Sequence, residues 1–239
     1  MSNLFTHFLN NFIPQQCLLC RSLHLGGAHA CCPACQAQLP RWEQTSSCPR
    51  CARPATAGEL CGQCQRHPPA FTRSYALYLY TSPIKELIQA AKFAGQWQHL
   101  RSLMPLSLPV WQHELNCIDA LIPLPLHPQR LRERGFNQTM ELTLGLASQL
   151  QLPIHAHALS RQRDTEHQAR LSARARWKNV RRAFAAHGNL TGQRVLLIDD
   201  VMTSGASLHE ASRTLLAAGA SEVWTLVLAR TPDGLTRKP

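Results

Sequence analysis

Four Cys-x-x-Cys pairs crowd the start of this 239-residue chain: Cys17/Cys20, Cys32/Cys35, Cys48/Cys51 and Cys61/Cys64. The gaps between successive pairs are 11, 12 and 9 residues. Two residues between thiols let one tight turn aim both sulfurs at a single ion. Two such turns complete a tetrahedral set of four thiolates, so loops of this length predict zinc ribbons. Pairing in sequence order gives two ions; a cross-braced pairing or a single ion also satisfies the spacing. Cys31 adjoins Cys32 and could stand in for it. His24, His29 and His67 are spare donors that read better as surface residues, and the distant Cys117 reads as a small core residue.

Disulfides would need an oxidising compartment. The N-terminal stretch MSNLFTHFLNNFIPQQC has no basic leader, no unbroken apolar run and no small-residue cleavage site. The reading is therefore structural zinc in a cytoplasmic protein. Metal binding would supply the folding energy of a segment poor in apolar side chains. Ahead of it, Phe5, Phe8, Leu9 and Phe12 recur at helical spacing and predict a short packing helix. The cysteines stop at a junction near His67-Pro68-Pro69, which suggests units of residues 1–67 and 68–239.

Beyond the junction the pattern alternates between strand and helix. Ser74–Tyr80 suits a strand. Thr81-Ser82-Pro83 reads as a helix start, with Ser82 as cap and Pro83 as first helical residue, followed by the stripe Ile84, Leu87, Ile88, Ala91 and a stop at Gly95. Residues 119–126 read as a buried strand running into a Pro-stiffened loop. Gln138–Leu150 is helical with Leu142, Leu146 and Leu150 on one face. Val195–Ile198 is an apolar strand, Leu208, Ala211 and Leu215 mark a helix closed by Gly219, and Val223–Ala229 is another strand. Strand–helix alternation predicts an α/β domain with a mostly parallel sheet flanked by helices. With 44% hydrophobic residues the chain can bury a core. It has no apolar run of about 18 residues, so no membrane span is expected.

The most informative run is Val195-Leu-Leu-Ile-Asp-Asp-Val-Met-Thr-Ser-Gly-Ala-Ser207. An apolar strand ends in two acids, and a hydroxyl-rich loop with one glycine then meets a helix. In open α/β sheets ligands sit beyond the carboxyl ends of strands. A helix N-terminus offers free N–H groups and a favourable dipole to phosphate. Gly205 permits close approach, and Thr203, Ser204 and Ser207 add hydroxyls. No GK[ST] or G-x-G-x-x-G is present. Asp199 and Asp200 are placed to accept hydrogen bonds from sugar hydroxyls.

This run resembles the phosphoribosyl pyrophosphate (PRPP) motif of type I phosphoribosyltransferases. Further stretches narrow the likeness: Pro123-Leu-Pro-Leu-His127, Arg132-Glu-Arg-Gly-Phe-Asn-Gln138, Arg163-Asp-Thr-Glu-His-Gln168, Arg176-Trp-Lys-Asn179 and Lys92-Phe93-Ala94-Gly95. With the Cys-rich start they resemble the ComF/GntX family, over roughly residues 14 to 230. The resemblance implies a type I phosphoribosyltransferase-like domain preceded by a small, double zinc ribbon. It also implies a role in natural competence or in use of DNA as a nutrient. Asp199 and Asp200 would hold the ribose hydroxyls, directly or through Mg²⁺-bound water. Thr203, Ser204, Gly205, Ala206 and Ser207 would hold the 5-phosphate, and the loop carrying Leu126 and His127 would face the pyrophosphate. Arg134, Asn137 and Gln138 would lie near the pyrophosphate or the acceptor. Arg163 and Gln168 would belong to a mobile loop, from Arg161 to Arg176, that closes over the site.

The net charge of +11 is concentrated. Residues 130–182 hold 11 basic and 4 acidic side chains. Arg grips anions bidentately, so single-stranded DNA or a DNA-uptake helicase stands as the competing partner, in a non-catalytic role. Few aromatics interleave with these arginines in the sequence, which weakens the base-stacking version of that reading.

Overall fold

A computed structural model describes residues 14–25, 31–56, 58–94, 100–104, 112–164 and 173–232. The expected helix at Phe5–Phe12, together with His29, Gly95 and Gln168, lies outside them.

The centre is a four-stranded, wholly parallel sheet built from β3 (Arg73–Leu79), β4 (Ala120–Pro123), β7 (Arg194–Met202) and β8 (Glu222–Arg230), in the order β3-β8-β7-β4. Two short antiparallel pairs stand outside it: β1 (Gln15–Gln16) with β2 (Leu23–His24), and β5 (Leu159–Arg161) with β6 (Phe184–Ala186). The helices are α1 (Pro33–Ala37), α2 (Gly62–Arg66), α3 (Ile84–Ala94), α4 (Leu100–Leu103), α5 (Pro128–Arg134), α6 (Gln138–Leu150), α7 (Ala173–Asn179) and α8 (Ala206–Ala217). A 3₁₀ turn spans Gln112–Cys117.

Parallel strands are covered on both faces, which is why β7 over Val195–Ile198 and β8 over Leu226–Ala229 read as apolar runs. One face packs Leu196, Ile198, Leu226 and Leu228 against Ile84, Ile88 and Ala91 of α3 and Leu142 and Leu146 of α6. The other packs Val195, Leu197, Val223 and Val227 against Leu208, Ala211 and Leu215 of α8, with Leu159 and Phe184 of the hairpin.

Both sheet edges are occupied, removing unpaired backbone that would template aggregation. Along β3, Trp42 N–H donates to the Leu77 carbonyl at 2.8 Å, Leu79 N–H to that of Pro40 at 2.7 Å and Ser74 N–H to that of Pro49 at 3.0 Å. Along β4, Leu121 N–H donates to the Pro153 carbonyl at 2.9 Å, and Leu121 O accepts from His155 at 2.9 Å. The Cys-rich segment is thus docked against the sheet edge.

Some local expectations change. Helix α3 begins at Ile84, one residue past Pro83, and the Ser82–Pro83 peptide is cis. Strand β4 occupies Ala120–Pro123, and the Pro-stiffened loop follows it as expected. Strand β7 continues through both acids to Met202, because β8 pairs with it that far, Met202 opposite Arg230. Ala206 and Ser207 therefore begin the helix instead of ending the loop. Cys117 is exposed, not core: it ends a surface 3₁₀ turn, where its Sγ donates to the Glu114 carbonyl at 3.3 Å.

Candidate functional site

Strand periodicity sorts the two acids. Successive residues point to opposite faces, so Asp199 follows Leu197 toward α8 while Asp200 follows Ile198 toward α3. Asp199 joins Thr203, Ser204, Gly205, Ala206 and Ser207 in lining one small polar pocket at the head of α8. Gly205 caps that helix in the left-handed region, φ 78°. Ser204 Oγ accepts from the Ala206 N–H at 3.4 Å. The pocket thus gathers a carboxylate, hydroxyls and a 12-residue helix's N-terminal amides, the donor set a phosphorylated sugar needs.

Asp200 is 5% exposed and forms an ion pair with Lys92 of α3. Its Oδ1 accepts from the Val201 N–H at 2.8 Å, and the Asp200 N–H donates to Asp199 Oδ1 at 2.8 Å. Burial, and next the Asp200 charge, push the Asp199 carboxyl well above its ordinary pKa. Burial works the same way on Asp200, but Lys92 outweighs it and holds Asp200 below the usual range.

Three arginines lie within electrostatic reach of the acids or of one another. Arg134 ends α5, and its Nη1 donates to Gln138 Oε1 at 2.6 Å. Burial lowers its pKa, against the pull of Asp200. Arg161, 9% exposed, closes β5 and lies over the Phe184 ring at 5.6 Å. Burial lowers its pKa too, and the neighbouring charge of Asp199 opposes the fall. Arg130 bonds Asp164 at 2.9 Å, joining α5 to the loop beyond β5. Of these, Arg134 was assigned a role from sequence, and Arg161 was expected to open a mobile loop to Arg176; instead Arg161 closes a strand, and residues 173–176 begin a helix. Lys92 stood in a stretch quoted for its likeness but carried no role, because its partner lies 108 positions away in the chain.

His127 caps α5, its Nδ1 accepting from Gln129 N–H at 3.4 Å, and Leu126 precedes it in the loop after β4. Asn137 caps α6 through Oδ1, which accepts from Thr139 N–H at 3.2 Å, and donates through Nδ2 to the Leu124 carbonyl at 3.3 Å. Gln138 is 6% exposed. Asn137 thus shapes the loop that carries Leu126. Arg163 is exposed and donates to the Arg181 carbonyl at 3.0 Å.

The cysteines form two quartets in sequence order: Cys17, Cys20, Cys32 and Cys35, then Cys48, Cys51, Cys61 and Cys64. Within each, every Sγ lies within 4.8 Å of the others. Sulfurs at about 2.3 Å from zinc form a tetrahedron with edges of about 3.8 Å. The Cys20–Cys32 and Cys51–Cys61 sulfurs are 3.8 and 3.6 Å apart. Both sites fit zinc. Cys31 is a buried neighbour rather than a ligand, and burial pushes its thiol up to about 12. His24 and His67 belong to neither quartet. In the second quartet the contact between Cys51 and Cys64 lowers Cys51 to about 5 and raises Cys64.

This second quartet adjoins the phosphate-type loop. Cys51, Cys64, Phe71, Ser204, Gly205 and Arg230 border one narrow gap. Arg230, 1% exposed, donates from Nη1 to the Met202 and Thr203 carbonyls at 3.3 and 3.2 Å, and its charge helps to lower Cys51.

Two known families match parts of the chain. The double zinc ribbon family matches residues 8–65 and the phosphoribosyl transferase domain family residues 139–238. The chain is 33% identical to the DNA utilization protein YhgH of Escherichia coli (strain K12) over 225 residues, 92% of this chain and 98% of that one. It is 31% identical to Competence protein F of Haemophilus influenzae over 229 residues, 92% and 99% of the two chains. Competence protein ComFC of Bacillus subtilis matches at 29% over 207 residues, 83% of each. Among the described residues, no helix is long and apolar enough to cross a membrane.

Proposed function

Because this chain belongs to the ComF/GntX family of competence and DNA-utilisation proteins, we propose that it binds PRPP with Mg²⁺ and transfers phosphoribosyl to an acceptor, in service of DNA uptake or of DNA as a nutrient. The observation that carries the reading is the single pocket shared by Asp199 and residues 203–207 at the head of α8. Thr203 to Ser207 hold the 5-phosphate through hydroxyls and helix amides. Asp199 meets the ribose hydroxyls. Asp200 supports the same sugar from behind, through its bonds to Asp199 and Lys92.

The pyrophosphate lies toward the loop of Leu126 and His127, with Arg134 and Arg161 supplying positive charge. Leaving-group neutralisation matters most in such a transfer, since charge develops there as the glycosidic bond breaks. A carboxylate beside phosphates is a donor set suited to Mg²⁺, which would further neutralise the leaving group. Arg163 and Gln168 belong to the segment that excludes water. Metal-binding thiols suit a reducing compartment, in keeping with a cytoplasmic protein.

Calorimetry of Mg-PRPP with wild-type protein and with Asp199→Asn tests the site. Loss of binding in the variant is expected, and equal binding would sink the assignment. A PRPP-consumption assay with a panel of bases and nucleic acids tests the transfer. Binding without consumption favours the second reading, a DNA- or helicase-binding factor that keeps PRPP as a ligand. The exposed Arg163, Lys178, Arg181 and Arg182 support that reading. A DNA affinity that ignores added salt would remove it.

A further inference from the structure

On the outer side of α8, away from the sheet, a cavity of about 370 Å³ is lined by Trp177, Val180, Arg181, Arg182, Ala206, His209, Glu210 and Arg213. We propose that this cavity binds a nucleoside monophosphate unit, its base against Trp177 and its phosphate among the arginines. Of its lining, only Ala206 is shared with the Asp199 pocket and only Arg181 and Arg182 with the DNA-facing groove, and the site stands whether or not the Asp199 pocket takes PRPP.

The volume lies within the range of small-ligand sites. Trp177 and His209 form an edge-to-face pair, 4.9 Å between centroids with planes at 63°. His209 Nδ1 accepts from the Ala70 N–H at 3.0 Å, which leaves its ring proton on Nε2. Burial also lowers the His209 pKa, so the ring stays neutral. The aromatic wall is thus uncharged, with ring N–H groups on Trp177 and His209 as its polar atoms, and suits a base.

The cationic wall is organised around Glu210. That carboxylate, 5% exposed, is already committed: it accepts from Arg213 Nη2 at 2.7 Å and from the Arg182 N–H at 2.7 Å. Its charge is directed at Arg213, and among the described residues no carboxylate pairs with the exposed Arg181 or Arg182 guanidinium, so both can meet an anion. Arg182 sits at φ 55°, a conformation an ordinary residue adopts at a cost. That turn places two consecutive arginines at the cavity's edge. An adjoining open groove is lined by Arg163, Lys178, Arg181 and Arg182.

One aromatic platform selects one base. A track for a strand needs a succession of stacking side chains, and among the described residues lining these two cavities Trp177 and His209 are the only aromatic rings. The unit can arrive free or as the phosphorylated end of a strand, and the open groove has room for the rest of one.

The probes are dAMP, a hexanucleotide with a 5′-phosphate, the same hexanucleotide without it, and inorganic phosphate, each titrated calorimetrically into the zinc-loaded chain. Saturable dAMP binding is expected, weakened at least tenfold by Arg181→Gln/Arg182→Gln and by Trp177→Ala, and unchanged by Asp199→Asn. Trp177→Phe should retain most of it, which separates stacking from a loss of fold. Tighter binding of the phosphorylated hexamer than of dAMP assigns the strand end as source; equal or weaker binding assigns the free nucleotide. The proposal is overturned if neither dAMP nor the phosphorylated hexamer saturates. Phosphate competing as well as dAMP overturns it too, since no base is then read. So does loss of dAMP binding in Asp199→Asn, which would move the ligand to the other pocket. Failure of PRPP to bind leaves all these outcomes intact.

Discussion

Replacing Arg230 with Met keeps most of the side-chain volume and removes the charge. The guanidinium is 1% exposed and donates to two carbonyls of the phosphate-type loop, at 3.3 and 3.2 Å. Hydrogen bonds from a charged donor contribute about 1.5–3 kcal/mol each, and these are long, so about 3 kcal/mol is expected from the pair. The same charge faces the second cysteine quartet, where it helps to lower Cys51. A zinc bound by four thiolates carries a net charge near −2, and stripping its buried counter-charge costs about 3–5 kcal/mol in comparable pairs. The two effects overlap in one side chain, so Arg230→Met should destabilise by about 3–4 kcal/mol, or roughly 6–16 °C in Tm for a chain of this size. Thermal unfolding with two zincs bound reads the loss. A cycle with Cys61→Ser, which opens the second quartet, then apportions it: the Arg230 effect should shrink by more than about 1 kcal/mol once that centre is gone. A loss below about 1 kcal/mol, or strict additivity, would refute the idea that Arg230 links the metal centre to the loop.

Two further outcomes can be stated. Gly145→Ala should destabilise even though alanine is the better helix former by about 1 kcal/mol, because a Cβ there would lie 2.2 Å from the Arg101 carbonyl oxygen, where α4 crosses α6; an unchanged or raised Tm would contradict that packing. The two acids should contribute to pH-dependent stability with opposite signs. Asp200, held low, adds stability above its unfolded pKa of about 3.9 and loses it as pH falls through its lower folded value. Asp199, held high, favours the fold in acid and becomes a penalty as pH rises from about 3.9 through its raised value. Asp199→Asn should therefore exceed wild type in Tm at neutral pH, with the gain vanishing below about pH 4; a variant less stable than wild type at pH 7 would reverse the sign.

The legible parts of this protein are those coded at short range. The quartets are written in Cys-x-x-Cys spacing, and the loop from Asp199 to Ser207 in a single run. The helix faces of Leu142 with Leu146 and of Leu208, Ala211 and Leu215 follow from the 3.6-residue period. What escaped is chemistry assembled across the chain. Lys92 meets Asp200 because α3 packs on one face of β7. Arg161 comes within reach of the Asp199 charge from a hairpin on the other face. Asn137 and Gln138 lie in a likeness-bearing stretch, yet the Asn137 side chain caps α6 and Gln138 accepts from Arg134. The Trp177–His209 pair joins residues 32 apart in sequence, which is why the arginine-rich stretch looked poor in aromatic partners.

The division between Asp199 and Asp200 follows from the continuation of β7. Had the strand stopped at Ile198, as the apolar run suggests, both carboxylates would sit in a loop free to turn together toward a ligand. Pairing with β8 carries the ladder on to Met202, and the two-residue repeat then forces the acids to opposite faces. One face supplies Lys92, which stabilises the ionised carboxylate of Asp200. The other supplies the polar pocket, and Asp199 enters it carrying the burden of burial and of its neighbour's charge. A cation or a sugar hydroxyl arriving there relieves that burden, since either stabilises the ionised carboxylate. The electrostatic cost carried by Asp199 is thus recovered on binding, and the residue whose removal should stabilise the fold is one whose removal should weaken ligand binding.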